Sequence, residues 1–443
     1  MAAIGNGVNS DAEPATPTPN HPFKVANFRA YWIARLSMTL AQYAMLLIIG
    51  WQVYNMSRDG GMSIAEASGQ LALIGLLQFV PLFLLTPFVG LAADRFDRRN
   101  IGRLTVLLQL ACALLLAWFT WNEAISFPLV LGVAVLLGIA RAFSGPALSA
   151  LAPNLVPKAI LPTAIALSSI WWQVGMLVGP GIAPALYRIA PALPYAVAAG
   201  LLAISVIALS LIGKVPQPAL RKDVRPIGQI VDGLSYVARN KMVLGAITLD
   251  LVAVFLAGAG ALLPAFARDI LGVGEVGLSL LAPAHAFGAA LTALWFSFFP
   301  LKNNVGPKML GAVAVFGLAT IIFGLSRSLA LSMAMLFIVG AADMFSVYIR
   351  QSLIQLHTPD DKRGRVSSVS MLTISASNEG GDAFSGSLAF VIGPVAAVIA
   401  GGAGAVVTVA LWSRMFPVLR TTKTFDPPED LLEDGQTKSL QSQ

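Results

Sequence analysis

The stretch GLAADRFDRRN, Gly90 to Asn100, puts five charges into the six residues from Asp94 to Arg99, directly behind the apolar run QLALIGLLQFVPLFLLTPFV, residues 70–89. A run of about 20 such residues crosses about 30 Å of hydrocarbon as a helix. The charge cluster therefore marks a membrane edge, and comparable runs recur along nearly the whole chain. Of the 443 residues, 56% are hydrophobic and only 12% are charged, about half the charge content of an ordinary soluble domain. The fold class this predicts is all-α: a polytopic membrane protein with twelve transmembrane helices in two pseudo-symmetric six-helix bundles.

The twelve spans are expected at about 28–56, 68–93, 101–121, 128–151, 160–186, 191–213, 242–266, 277–299, 307–326, 329–356, 366–391 and 393–416. Spans 5 and 11 carry the most small or polar residues. An even number of spans puts both ends on one side. With that side cytoplasmic, 22 of the 29 Lys and Arg lie inside, four outside (Arg58, Arg188, Arg268, Arg327) and three within spans (Arg35, Arg141, Arg350). This bias is what the positive-inside rule demands. It also explains the net charge of +7 without nucleic acid. The location expected is a bacterial inner (plasma) membrane, with both termini cytoplasmic.

The polar, Pro-rich start lacks the basic and apolar regions of a signal peptide. Residues 1–27 and 417–443 read as disordered cytoplasmic tails. Residues 214–241, the longest polar stretch between spans, read as a cytoplasmic linker between bundles at 28–213 and 242–416. Within it, IGQIVDGLSYVARN has the makings of a short amphipathic helix on the membrane surface, with a plain solvated linker as the alternative. The halves echo each other at an offset of 202: Gly138 to Arg141 falls on Gly340 to Asp343, Pro157 on Pro359 and Gly179 on Gly381. Six-plus-six repeats of this kind place a substrate site between the halves near mid-membrane.

Gly90, Asp94, Arg95, Arg98 and Arg99 follow the spacing G-x-x-x-D-R-x-x-R-R between spans 2 and 3. This resembles the signature loop of the major facilitator superfamily. Asp97 stands where members of that family often have Gly. A carboxylate at Asp94 suits helix-terminal N–H groups or an Arg across the seam between halves, so the cluster is expected to act as a conformational latch. Ordinary topogenic charge is the plainer alternative. In span 4, Arg141 and Gly145 resemble the Arg and following Gly of drug–proton antiporters in the superfamily. In span 5, Gly175, Gly179 and Pro180 resemble their G-x-x-x-G-P signature. Small residues four apart let helices approach closely, and Pro180 kinks the helix; a common packing face is the alternative.

Ionisable groups inside spans are functional candidates by default. Arg141 in mid-span is expected to face a cavity or a carboxylate. Asp343, Ser346 and Arg350 in span 10 lie at i, i+3 and i+7 on one helical face; Glu379 and Asp382 in span 11 are i and i+3. Span 7 adds Asp250. A carboxylate that alternates between a buried environment and an Arg neighbour can take up a proton on one side and release it on the other. The proton-coupling and substrate-cavity set expected is Arg141, Asp250, Asp343, Arg350, Glu379 and Asp382, with Trp171, Trp172 and Phe255 as apolar contacts. The alternative is a static network in which Glu379 or Asp382 neutralises Arg350. His285 reads as a structural hydrogen-bonder, and His21 and His357 lie outside the cavity.

The stretches around spans 7–8 and 10–11, including Asn378, Glu379, Gly381, Ser385 and Gly386 in the pattern N-E-x-G-x-x-x-S-G, are similar to the enterobactin-exporter-like and macrolide-efflux-like branch of the superfamily. That resemblance implies export of a siderophore or amphipathic drug by proton antiport through alternating access, by a monomer. Uptake by symport or uniport, and a non-transporting scaffold of the same fold, are the alternatives. An enzyme is not expected. No Walker loop, Ser/His/Asp arrangement or metal-ligand spacing presents itself, and Cys112, the single cysteine, sits in an apolar stretch. No cofactor or metal is expected; the partners are a small molecule, protons and the bilayer.

Overall fold

The computed structural model describes residues 20–213 and 226–426. All regular structure among them is helical. Six long helices form the first half: α1 (Ala26–Asp59), α2 (Ile64–Arg95), α3 (Arg98–Trp121), α4 (Phe127–Leu151), α5 (Leu161–Ile189) and α6 (Leu193–Ser210). A shorter helix, α7 (Pro226–Arg239), lies in the segment between halves. The second half holds α8 (Lys241–Leu256), the single turn α9 (Leu263–Ala265), α10 (Gly274–Phe298), α11 (Val305–Leu325), α12 (Leu329–Leu356), α13 (Asp360–Ile392), α14 (Pro394–Met415) and the short α15 (Pro417–Thr421). Among the described residues, eleven stretches are long and apolar enough to cross a membrane. The expected eleventh span falls on α13, which has the length, 33 residues or about 50 Å of helix, but carries the polar stretch SASNEGGDAFSG. Residues 1–19, 214–225 and 427–443, with most of the expected tails and part of the expected linker, lie outside the described residues.

Span 7 departs from the single helix expected over 242–266. The α8 helix stops at Leu256, and the chain continues through a 3-10 turn (Gly260–Leu262), α9 and a π-turn (Phe266–Ile270). Two features of α13 account for the break. A Cβ on Gly258 would lie 2.9 Å from the backbone carbon of Gly381, so the chain is pressed against α13. The Asp382 carboxylate faces the Ala261 backbone N–H, a donor that the break leaves outside a regular helix. Non-helical backbone at membrane depth persists where protein satisfies it in this way.

Two seams join the halves. Along α2 and α13 the contact is made by small residues: a Cβ on Gly386 would meet Ala72 at 2.8 Å, and one on Gly75 would meet Ala383 at 3.6 Å. Between α5 and α10, Gly181 faces Pro283. The internal repeat recurs in packing. Gly138 lets α4 ride on the backbone of Gln78 in α2, and Gly340, its counterpart at the 202-residue offset, lets α12 ride on the backbone of His285 in α10.

At the start of α3, Asp97 has extended backbone and its carboxylate accepts the Arg99 N–H at 2.9 Å. This is an N-cap, so the turn after α2 is made by a cap and needs no Gly at 97. The Arg99 guanidinium, paired with Asp97 at 2.6 Å, holds that carboxyl below its ordinary range. The cap therefore contributes fully at neutral pH and is lost only as the pH falls through the depressed value.

Gly340→Val should collapse the α10–α12 approach, because its Cβ would overlap the His285 carbonyl. Gly145→Ala should be silent, because its Cβ would meet open space. Thermal unfolding of the two purified variants, followed by size-exclusion fluorescence, separates them: a large fall in melting temperature or loss of monodisperse protein for the first, and no change for the second.

Candidate functional site

The predicted charged residues segregate into two groups. The first lies across the seam. Arg141 of α4 forms an ion pair with Glu379 of α13, through Nη2 to Oε1 and through Nη1 to Oε2 at 3.4 Å. Its Nη1 also donates to Gln78 Oε1 of α2 at 3.3 Å. Tyr43 of α1 lies within electrostatic reach of both Arg141 and Glu379, and Asp382 lies within reach of Arg141. Each of these residues sits near the middle of a long helix, so the cluster occupies the middle depth of the bundle. Four helices from the two halves thus meet at one partly buried charge pair.

The second group is internal to the second half. Arg350 of α12 pairs with Asp250 of α8, both almost fully buried at 3% and 6% exposure. Asp343, two turns earlier on α12, faces His285 of α10. A void of about 10 Å³ separates Asp250, Asp343 and Ser346, at the lower limit for one water. Arg350 is thus neutralised by Asp250, not by Glu379 or Asp382 as the alternative network required.

The aromatic candidates divide as well. Phe255 meets Phe384 at a tilt with centroids 5.1 Å apart and packs over Gly380 and Gly381. Trp172 is 47% exposed and meets Tyr43 edge-on at 5.8 Å. Trp171 is buried against Arg35.

In the span 5 pattern, Gly175 abuts Thr39, and a Cβ on Gly179 would come 2.9 Å from the Leu40 carbonyl oxygen. Pro180 is inside α5. These residues bring α5 onto α1, as small-residue packing requires. Gly145 has no such neighbour in this conformation. In the loop pattern, the backbone of Gly90, Asp94 and Arg95 belongs to α2, but their side chains lie outside those described. Arg98 and Arg99 begin α3, where Arg99 holds Asp97 and donates to the Ile212 carbonyl at 3.3 Å.

A third cluster ties the halves together at the membrane face carrying residues 60–63. Arg58 of α1 makes a bidentate pair with Asp269, at 3.0 Å for each of its two bonds. Tyr54 donates to the same carboxylate at 2.5 Å. In the reverse sense, Arg268 donates to Asp59 at 2.5 Å and to Asn55 Oδ1 at 2.7 Å. The consecutive pair Arg268–Asp269 so meets Arg58–Asp59 with opposite charges facing. Arg58 and Arg268 enter the sequence argument only as outside charges. Their pairs with Asp269 and Asp59 join residues 211 and 209 apart in sequence, a juxtaposition no local pattern encodes. Gln78 and Tyr43, being uncharged, are residues that periodicity does not single out either.

A family model described as Major Facilitator Superfamily matches residues 18–378. Among curated proteins, the multidrug efflux pump Tap of Mycobacterium tuberculosis is 26% identical over 350 residues, covering 76% of this chain and 78% of that protein. The enterobactin exporter EntS of Escherichia coli O157:H7 is 25% identical over 432 residues, covering 94% and 96%. Among solved structures, a bacterial homolog of the human lysosomal transporter Spinster, in an inward-facing unoccupied conformation, aligns with a TM-score of 0.66 at 18% identity over 89% of this chain and 99% of that one.

Breaking the inner pair by Asp250→Asn leaves Arg350 buried without a counter-charge, which is expected to cost about 3–5 kcal/mol. The double variant Asp250→Leu/Arg350→Met should recover most of that loss, because it removes both desolvated charges. Melting temperatures of the single and double variants in detergent check this.

Proposed function

Because the chain belongs to the Major Facilitator Superfamily, it is a multi-pass membrane transporter and not an enzyme, and we propose that it exports a small amphipathic organic molecule by proton antiport. The observation that carries this reading is the Arg141–Glu379 pair. It spans the two halves at mid-depth and is only partly buried, so protons and substrate have access to it. The efflux activity named for Tap and EntS supports the outward direction.

In this mechanism the halves, 28–213 and 242–416, rock about the seams α2–α13 and α5–α10, joined by 214–241. With Glu379 ionised, its attraction to Arg141 holds α4 against α13. A proton on Glu379 removes the charge, leaves Arg141 seeking another acceptor, and loosens the seam at that depth. Asp382 sits one turn further along α13 and senses the same change, because it faces Arg141 and also supports the break in span 7. The charge state of the seam is thereby linked to the shape of the chain leading to Arg268 and Asp269. Those two residues close one face against Arg58 and Asp59. The positive-inside bias makes that face the outer one, with both termini cytoplasmic. The loop cluster Gly90, Asp94, Arg95, Arg98 and Arg99 acts as the latch on the cytoplasmic face. The buried Asp250–Arg350 pair serves as a fixed internal strut, and Asp343 with His285 is a second site that can hold a proton. The transporter works as a monomer in the bacterial inner membrane.

The test is efflux from right-side-out proteoliposomes with an acidic exterior, loaded with lipophilic dyes. Gradient-driven efflux is expected for the native chain. Glu379→Gln should abolish the dependence on the gradient while preserving dye binding. Gradient-driven accumulation from outside would make the protein a symporter and overturn the export reading.

A further inference from the structure

Arg35 lies nine residues into α1, away from the seam pair. It is 5% exposed, and no carboxylate pairs with it among the described residues. Its Nε and Nη1 are buried without hydrogen-bond partners. The guanidinium carbon sits 4.0 Å from the centroid of the Trp171 ring, and the Trp171 indole Nε1 is also buried and unpartnered. Tyr31, one turn earlier on α1, is the titratable group beside it. Of the other unpartnered atoms, Arg350 Nε belongs to a guanidinium already paired with Asp250, and the rest, such as Gln109 Nε2, belong to neutral side chains. Here two side chains in contact present three donors, one net positive charge and no acceptor.

The energetics do not balance within the protein. A desolvated cation–π contact returns only part of what taking a lone charge out of water costs. Buried polar groups left open in this way call for an explanation. The surroundings indicate what fills the gap. Trp171 contacts Trp172 with centroids 5.9 Å apart, and Trp172 meets Tyr43, the tyrosine beside Arg141 and Glu379. An aromatic run therefore leads from the seam cluster to Arg35. Around it α5 carries no acidic residue to compete for the guanidinium, since LPTAIALSSIWWQVGMLVGPGIAPALYRI contains neither Asp nor Glu.

We propose that Arg35 and Trp171 form the subsite for the anionic end of the transported molecule, an aromatic amphiphile whose carboxylate or similar oxyanion is received by the guanidinium while its ring lies along Trp172 and Tyr43. This rests on the transport function proposed above and names its substrate class. The planar guanidinium suits a two-oxygen acceptor, and the Trp171 N–H adds a third donor beside it. Arg141 cannot take this role while Glu379 occupies it.

Equilibrium calorimetry on the full-length protein in phosphatidylcholine nanodiscs tests this without a proton gradient. The probes are 2-naphthoate and its uncharged counterpart 2-naphthamide. The native chain should prefer the naphthoate by tenfold or more. Arg35→Gln should bring the two affinities within twofold of each other with naphthamide binding retained, and Arg35→Lys, which keeps the charge, should give an intermediate preference. Trp171→Phe should weaken naphthoate binding a few-fold, and Arg141→Gln should leave the preference in place. Equal affinities in the native chain, no measurable naphthoate binding, or a preference that survives Arg35→Gln but falls with Arg141→Gln would each overturn the proposal. Loss of naphthoate binding when phosphatidylglycerol replaces phosphatidylcholine would assign the site to a lipid headgroup and overturn it as well. Gradient-driven efflux of a cationic dye with no naphthoate preference would sink the anion subsite alone. Naphthoate preference without gradient-driven efflux of any probe would sink the antiport mechanism alone.

Discussion

A charge held at the depth of the hydrocarbon must meet an opposite charge, a ring of donors or acceptors, or water. The rest of this structure depends on how that demand is met at Arg141. Its counter-charge, Glu379, belongs to the other half of the chain. Neutralising Arg141 therefore requires the halves to be together, and any event that discharges Glu379 acts on their association. Arg350 meets the same demand locally, through Asp250 within its own half. The two pairs have similar chemistry and opposite consequences: one can be broken only by destabilising a bundle, the other by moving one bundle against another.

The backbone has to allow these pairings. Helices approach the seams through glycine and alanine on α2 and α13, where larger side chains would hold α4 and α13 too far apart for the ion pair. A second pair of small residues, Gly258 and Gly381, presses span 7 against α13, where the helix is interrupted and Asp382 faces the Ala261 N–H. A polar segment in the middle of α13 thus serves the seam charge and the neighbouring break together. At one membrane face the arrangement ends in the crossed pairs of Arg58 and Asp59 on α1 with Arg268 and Asp269, the latter two lying just beyond the break in span 7. Gly393, with φ of +81°, turns the chain at that face between α13 and α14.

The class of protein, its helical spans and the repeat of its halves were legible in the sequence because each follows from local physics. Hydrocarbon thickness sets the length of an apolar run, the cost of moving cations across sets the Lys and Arg bias, and a glycine at 138 and again at 340 marks a close helix approach in each half. Intramembrane Arg141, Asp250, Asp343, Arg350, Glu379 and Asp382 were visible as exceptions to an apolar pattern. Periodicity along one helix orders residues on that helix alone. It therefore joined Asp343 with Arg350 and Glu379 with Asp382, and was silent on partners in other helices. Tertiary structure alone decided that Arg350 answers to Asp250 and Arg141 to Glu379, that span 7 breaks beside Asp382, and that Arg35 is left with a tryptophan face and no acid. The physical reason is that apolar patterning fixes which residues leave water, whereas an ion pair needs two particular atoms within hydrogen-bonding distance, and only the packing of helices far apart in the chain sets that distance.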